Sequence, residues 1–258
     1  MTGTTGSPLS AWTKRPRVLP GARARLFCVP HGGGGPSSFA RWVPALAPDV
    51  EVCLVHLPGR EGRLREEPLT DLRLIAARLA EAMAPLLDLP YAFFGHSMGA
   101  IIAYETALLL DEPPRHLFAS ASPPPHRVEE EPPFAHLPDA EFLAAVRRSY
   151  DGIPDAVWND PELMGLMLPS LRADFAAYET YRWRPTGPLG CPVTALGGKD
   201  DPLVPGETLT DWSQLTSGDC RTEMFEGGHF YLNEARPRLQ ELVREALGTT
   251  DPAPKGRG

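Results

Sequence analysis

The sequence predicts an α/β fold, with a mostly parallel central sheet covered by helices on both faces and one helical insertion. Three observations carry this. Short continuous apolar runs recur, such as Leu26-Phe27-Cys28-Val29 and Val52-Cys53-Leu54-Val55, where a half-exposed strand would alternate. Segments with helical apolar spacing lie between the runs, which suits βα units and parallel pairing. The rhythm then breaks over residues 122–190, where helical spacing takes over and no strand is legible.

In chain order, Leu26 to Val29 reads as the first strand, followed by the glycine loop Pro30-His31-Gly32-Gly33-Gly34-Gly35-Pro36. A helix over about 38–47 follows, with Ser37 or Ser38 as its cap. Val52 to Val55 is the second strand and runs into Leu57-Pro58-Gly59-Arg60-Glu61. Thr70 is the expected cap of a long amphipathic helix presenting Leu72, Ile75, Ala76, Leu79, Met83 and Leu86, with Pro85 disturbing its last turn. Ala92-Phe93-Phe94 is a strand and Leu117 to Ala121 another, with a helix between them that Pro113-Pro114 ends. In the insertion a helix starts near Asp139, and a second helical region breaks at Pro169, which opens a new helix. Strands Val193 to Leu196 and Thr222 to Phe225 resume the sheet, with helices expected over about 206–216 and 231–247.

At 258 residues and 42% hydrophobic content the chain fills one large domain, expected over 24–248 with the insertion at 122–190 as a lid. Residues 1–23 read as a flexible leader and 249–258 as a disordered tail. The net charge of −8 argues against nucleic acid and anionic membranes. No apolar run is long enough to span a bilayer, and residues 1–10 lack the core of a signal peptide, so a cytoplasmic chain is expected, with a monomer as the default state. The four cysteines show no C-x-x-C spacing and are expected as buried free thiols.

The chemistry centres on Gly95-His96-Ser97-Met98-Gly99, a G-x-S-x-G sequence between a strand and a helix. Such a corner exposes the serine hydroxyl at the sheet edge, with the helix N-terminus and the Met98 N–H facing any anion formed there. A serine needs a base and a group to orient that base. The order Ser…Asp…His after successive strands is that expected of an α/β-hydrolase. His229, after Gly227-Gly228, is the best base; His31 belongs to the glycine loop, His96 points away from Ser97, and His56, His116, His126 and His136 lie at strand ends or in Pro-rich loops. Of the adjacent Asp200 and Asp201, the spacing G-x-x-D-x-x-V favours Asp201, leaving Asp200 as a turn residue or a supporting partner behind the triad. Met98 supplies one oxyanion N–H and Gly32 the other. A phosphate loop is not supported, since no Gly-Lys-Ser/Thr follows the glycines. No metal or other cofactor is called for.

Together these residues resemble the α/β-hydrolase superfamily. More narrowly they resemble the type II thioesterases that accompany polyketide and nonribosomal peptide synthases. The resemblance spans about residues 25–235. It rests on Pro30-His31-Gly32-Gly33-Gly34, Leu57-Pro58-Gly59-Arg60-Glu61, Gly95 to Gly99, Leu171-Arg172-Ala173-Asp174-Phe175 and Gly227-Gly228-His229-Phe230-Tyr231-Leu232. The second and fourth stretches are the specific ones. Gly32 stands where that family commonly has alanine. The resemblance implies hydrolysis of acyl groups from the phosphopantetheine arm of acyl or peptidyl carrier proteins, for editing or release, through an acyl-enzyme on Ser97. Docking an acidic carrier onto an acidic chain requires a local basic patch, for which Arg60, Arg63 and Arg65, or Arg147 and Arg148, are candidates. A carboxylester hydrolase or acyltransferase on the same triad remains open, and so does a non-catalytic binding protein.

Overall fold

The computed structural model describes residues 11–130, 133–150, 153 and 155–249. Its strands are β1 (Thr13–Lys14), β2 (Ala24–Val29), β3 (Val50–Val55), β4 (Tyr91–His96), β5 (His116–Ser120), β6 (Val193–Gly198) and β7 (Cys220–Phe225). They form one sheet in the order β1-β3-β2-β4-β5-β6-β7, parallel throughout except for β1. The inner strands are buried on both faces, which is why their sequences run apolar without alternation. Phe27 and Phe93 pack on one side with Ile101 and Leu79. Leu26, Phe94 and Phe118 pack on the other with Trp42 and Leu242.

The helices are α1 (Trp42–Leu46), α2 (Leu72–Met83), α3 (Met98–Ala107), α4 (Asp139–Ser149), α5 (Asp155–Trp158), α6 (Pro161–Glu179), α7 (Gly206–Leu209) and α8 (Arg236–Ala246). Strand order reverses at β2, with β3 on one side and β4 on the other. Open α/β sheets bind ligands in the crevice at such a switch point, outside the carboxyl ends of the strands. The glycine loop after β2 and Ser97 after β4 flank this one.

Several expectations are corrected. Residues 11–23 are not a loose leader but part of the domain. Trp12 is buried, its carbonyl accepts from the His56 N–H at 2.8 Å, and Arg15 forks onto Glu51 at 2.8 and 3.0 Å. The rest of the expected leader, the tail beyond residue 249, and positions 131, 132, 151, 152 and 154 lie outside the described residues. The cap of α2 is Asp71, whose carboxylate accepts from the Arg73 and Leu74 N–H groups, rather than Thr70. The expected helices near 38–47, 206–216 and 231–247 each comprise a 3-10 turn and a shorter α-helix.

Pro169 does not break its helix: α6 runs unbroken past it. The ring removes one donor, to the carbonyl of Gly165, but Gly165 is exposed, where water can replace it. On the far side, α6 is held by burial of Met164, Leu171, Ala173, Asp174 and Ala177. Helices α4 to α6, with a 3-10 turn over Pro125–Glu130, occupy the stretch between β5 and β6 and have a small apolar core of their own around Phe142, Val146 and Leu171. Arg172 braces it by donating to the Ala135 and Leu137 carbonyls, and Glu179 by accepting from the Phe134 and Ala135 N–H groups.

Candidate active site

Ser97 sits between the last residue of β4 and the first of α3 at φ +56° and ψ −126°. This is a region that residues with a side chain rarely occupy, and it persists only where the surroundings enforce it. Here the Ser97 N–H donates to the Ser120 carbonyl at 2.7 Å, and the Ser97 carbonyl accepts from the Ala100 N–H at 2.9 Å. The flanking glycines allow the close approach. A Cβ on Gly95 would lie 2.3 Å from the Gly99 carbonyl oxygen, and one on Gly99 would lie 2.3 Å from that of Val29. β4, α3 and β2 therefore close on one another around the serine.

His229 follows β7 and reaches Ser97 Oγ through Nε2 at 3.0 Å. Its Nδ1 meets Asp201 Oδ2 at 2.8 Å. Asp201 is buried in the loop after β6, and its other carboxylate oxygen accepts from the Leu203 N–H at 3.0 Å. That second bond fixes the carboxylate plane and leaves Oδ2 for the imidazole. The neighbouring Asp200 is exposed, with its N–H on the Gly227 carbonyl. Gly227 takes φ +105°, and a Cβ on Gly198 would lie 2.3 Å from the Gly228 carbonyl oxygen. The glycines after β6 and β7 thus let these two loops touch, which brings acid and base together.

Two further histidines stand near His229 and are uncharged at neutral pH. Burial first, then the nearby His229 ring and the Arg60 guanidinium, pushes His31 down to about 4. Burial holds His96 well below the ordinary imidazole range. His96 Nδ1 bonds Ser120 Oγ at 2.9 Å, which in turn meets the Tyr231 hydroxyl at 2.6 Å, so His96 is part of a buried polar chain under the site.

Gly32, Met98, Ser97 and His229 line one cavity. Its far wall is apolar, built by Val146, Ile153, Met167, Leu171, Phe175 and Phe230. Within the glycine loop, the Gly33 N–H donates to Asp174 Oδ2 at 2.7 Å and the Gly34 N–H to the His31 carbonyl at 2.9 Å. Those two donors are engaged, while Gly32 lines the cavity together with Ser97 and Met98. A Cβ on Gly32 would be 3.6 Å from Asp174 Cβ, an ordinary contact, so the alanine common at this position in the resembling family fits the space.

The basic candidates divide. Arg60 and Arg63 are not surface docking groups: both are buried. Arg63 forks onto Glu66 at 2.8 and 2.6 Å, donates to the His56 carbonyl and lies over the Trp12 ring. Arg60 forks onto Asp174. Arg65, Arg147 and Arg148 are exposed, with Arg147 over the Trp158 ring and 3.5 Å from Asp155. Sequence reasoning missed the Arg60–Asp174 pair. Both residues stood in the stretches singled out, but 114 positions separate them and no local pattern joins them. Tyr150, whose ring stacks edgewise on His229, carried no motif. Among the described residues no cluster of His, Cys, Asp or Glu is placed to hold a metal ion, and no helix is long and apolar enough to cross a membrane.

Comparison with known proteins agrees with the expected family. The profile of the thioesterase domain matches residues 24–247. The chain is 38% identical over 245 residues to the gramicidin S biosynthesis protein GrsT of Aneurinibacillus migulanus, covering 93% of this chain and 95% of that one. It is 37% identical over 252 residues to the thioesterase PikA5 of Streptomyces venezuelae, covering 95% and 89%. The type II thioesterase BorB from the borrelidin biosynthetic cluster superposes with a TM-score of 0.86 at 38% identity, covering 94% of this chain and 99% of that one. A lipase-esterase related protein of Clostridium acetobutylicum ATCC 824, 16% identical with a TM-score of 0.67, shares the fold.

Proposed function

Since the chain belongs to the thioesterase domain family and is a hydrolase of thioesters, we propose that it removes acyl groups from the phosphopantetheine arms of carrier proteins in polyketide or nonribosomal peptide synthesis, using Ser97 as nucleophile. The observation that carries the residue roles is the hydrogen-bonded line Ser97 Oγ, His229 Nε2, His229 Nδ1, Asp201 Oδ2, at the mouth of an apolar cavity.

In this reading Ser97 Oγ attacks the thioester carbonyl as its proton passes to His229 Nε2. Asp201 holds the tautomer with hydrogen on Nδ1 and stabilises the imidazolium. The Gly32 and Met98 N–H groups receive the oxyanion, each worth about 3 kcal/mol of transition-state stabilisation. The tetrahedral intermediate collapses, the C–S bond breaks, and His229 returns the proton to the departing thiol. Water then attacks the acyl-enzyme with His229 again as base, the ester bond to Ser97 Oγ breaks, and His229 returns the proton to Oγ as the acid leaves. The apolar wall from Val146 to Phe230 suits the acyl chain, and α4 to α6 serve as its lid. The partner is a carrier protein met by a cytoplasmic monomer, with exposed Arg65, Arg147 and Arg148 as the remaining docking candidates.

The test compares acyl carrier protein thioesters with the matching oxygen esters, with Ser97→Ala as control. Thioester turnover should dominate and vanish in Ser97→Ala. Preference for the oxygen ester, or activity surviving that substitution, rejects the reading.

A further inference from the structure

Asp174 lines the cavity beside Ser97 and Gly32, but its carboxylate is taken up by Arg60, and the two residues together hold the loop that carries Gly32. Arg60 Nη1 and Nη2 donate to the two Asp174 carboxylate oxygens at 2.6 and 2.8 Å. Arg60 Nη1 also donates to the Gly34 carbonyl at 3.1 Å, and Nε to the Pro58 carbonyl at 3.3 Å. Asp174 Oδ2 takes the Gly33 N–H at 2.7 Å. Both side chains are buried, Asp174 almost completely.

A buried ion pair is weak support for stability, because desolvation offsets much of the attraction and apolar replacements often fold as well. The positions of the bonds are more informative. The carboxylate fixes the peptide between Gly32 and Gly33, and the guanidinium fixes the peptide after Gly34. The Gly32 N–H belongs to the peptide immediately before these. Gly33 itself takes φ +76°, and a Cβ there would lie 2.6 Å from Leu171 Cδ1 of α6. The loop is therefore set against α6 at Gly33, through its N–H on Asp174 and its Cα beside Leu171, and is tied to α6 indirectly at the Gly34 carbonyl through Arg60, which holds Asp174. With glycine at 32, 33, 34 and 35, the loop backbone has no conformational preference of its own to hold it.

We propose that Arg60 and Asp174 are positioning residues that aim the Gly32 N–H at the oxyanion, so that the donor is correctly placed only when α6 is seated on the glycine loop. This rests on the reading of Gly32 as an oxyanion donor. It couples the lid to catalysis: a displacement of α6 carries Asp174 away and releases the donor, while Ser97, His229 and Asp201 stay in place on the sheet edge.

Asp174→Asn, Arg60→Lys and the double variant Arg60→Met/Asp174→Leu test it in the full chain. The first should lower kcat about 100-fold, as expected for loss of one oxyanion donor, with KM within about threefold. A trifluoromethyl ketone analogue, which places an oxyanion on Ser97, should bind about 100-fold more weakly, whereas a non-reacting thioether analogue should bind within about threefold of the parent. Arg60→Lys, which keeps the charge but not the fork, should fall between. The double variant removes both buried charges, so its melting temperature should return towards that of the parent while kcat stays low. Recovery of kcat together with stability assigns the pair to folding alone and overturns the proposal. So does a parallel loss of ketone and thioether affinity, or a failure of all three variants to fold. Ser97→Ala, run alongside, abolishes turnover if the catalytic reading holds, and its outcome is independent of the pair.

Discussion

Asp201 Oδ2 lies 2.8 Å from Nδ1 of His229, while Asp200, adjacent in the chain, is exposed and engages the Gly227 carbonyl only through its backbone. Two carboxylates one residue apart thus have separate environments, and only one reaches the base. Asp201→Asn should lower kcat by about 10³- to 10⁴-fold, because the amide cannot stabilise the imidazolium and favours the wrong tautomer. Asp200→Asn should stay within about twofold. Steady-state rates on one carrier-bound substrate decide the assignment, and the reverse ranking removes Asp201 from the triad.

Alanine at different glycines should have opposite consequences. At Gly95 the new Cβ meets backbone, 2.3 Å from the Gly99 carbonyl oxygen and 2.5 Å from Ala100 Cα, so nothing flexible can yield. Gly95→Ala should cost about 3 kcal/mol of stability or more and disrupt the Ser97 corner. Gly33→Ala meets both the Leu171 side chain and an unfavourable positive φ, and should lose activity with the loop. Gly32→Ala meets only an ordinary contact and should keep activity within about threefold. Urea unfolding and kcat/KM on the three variants separate these outcomes. A stable, active Gly95→Ala protein rejects the packing account of the motif.

The strands from β2 to β6 are legible because burial on both faces makes them largely apolar runs, whereas β7, half-exposed at the sheet edge, shows the signal more weakly. The order of Ser97, Asp201 and His229 was legible because each follows a strand and parallel strands end at one edge. What the sequence hid is long-range or very short. β1 spans two residues and is recognised only by its pairing with Val55 and Leu54. Pro169 reads as a helix breaker until the packing of α6 outweighs it. Arg60 looked like a surface cation because nothing local shows that Asp174 folds back onto it. A charged side chain in a glycine- and proline-rich loop is ordinarily solvated, and only tertiary structure reveals the buried partner.

His116 opens β5, at the end of the sheet away from Ser97, with Nε2 on Thr194 Oγ1 at 2.7 Å. Burial, then the nearby charge of Arg221, pushes it from 6.5 down to about 4. In the unfolded chain it protonates near 6.5, so acid favours the unfolded state. The stability tied to this group is present above about pH 6.5 and is lost as pH falls through the window down to about 4. His116 alone should remove on the order of 2 kcal/mol between about pH 7 and pH 5. His116→Gln should flatten that part of the profile without changing activity at neutral pH. Urea midpoints at the two pH values measure it. An unchanged slope in the variant shows that other groups carry the acid sensitivity.

Met167 lies on the apolar wall of the cavity that Ser97 opens into, on the same helix as Leu171 and Phe175. It is unbranched and half-buried, so its replacement changes chamber volume without removing a hydrogen bond. Met167→Trp fills space that a long acyl chain needs and a short one does not. Each methylene excluded from an apolar pocket is worth about 1–3 kcal/mol of discrimination. The variant should therefore lose at least about 10-fold in kcat/KM on medium-chain acyl carriers and stay within about threefold on acetyl and propionyl carriers. The rate of Ser97 labelling by a small fluorophosphonate should be unchanged, since the nucleophile and its base are untouched. Equal losses on short and long chains would place the acyl group elsewhere, and the more polar recess beside Pro123, Arg127 and Leu203, which also reaches Ser97 and His229, would become its site.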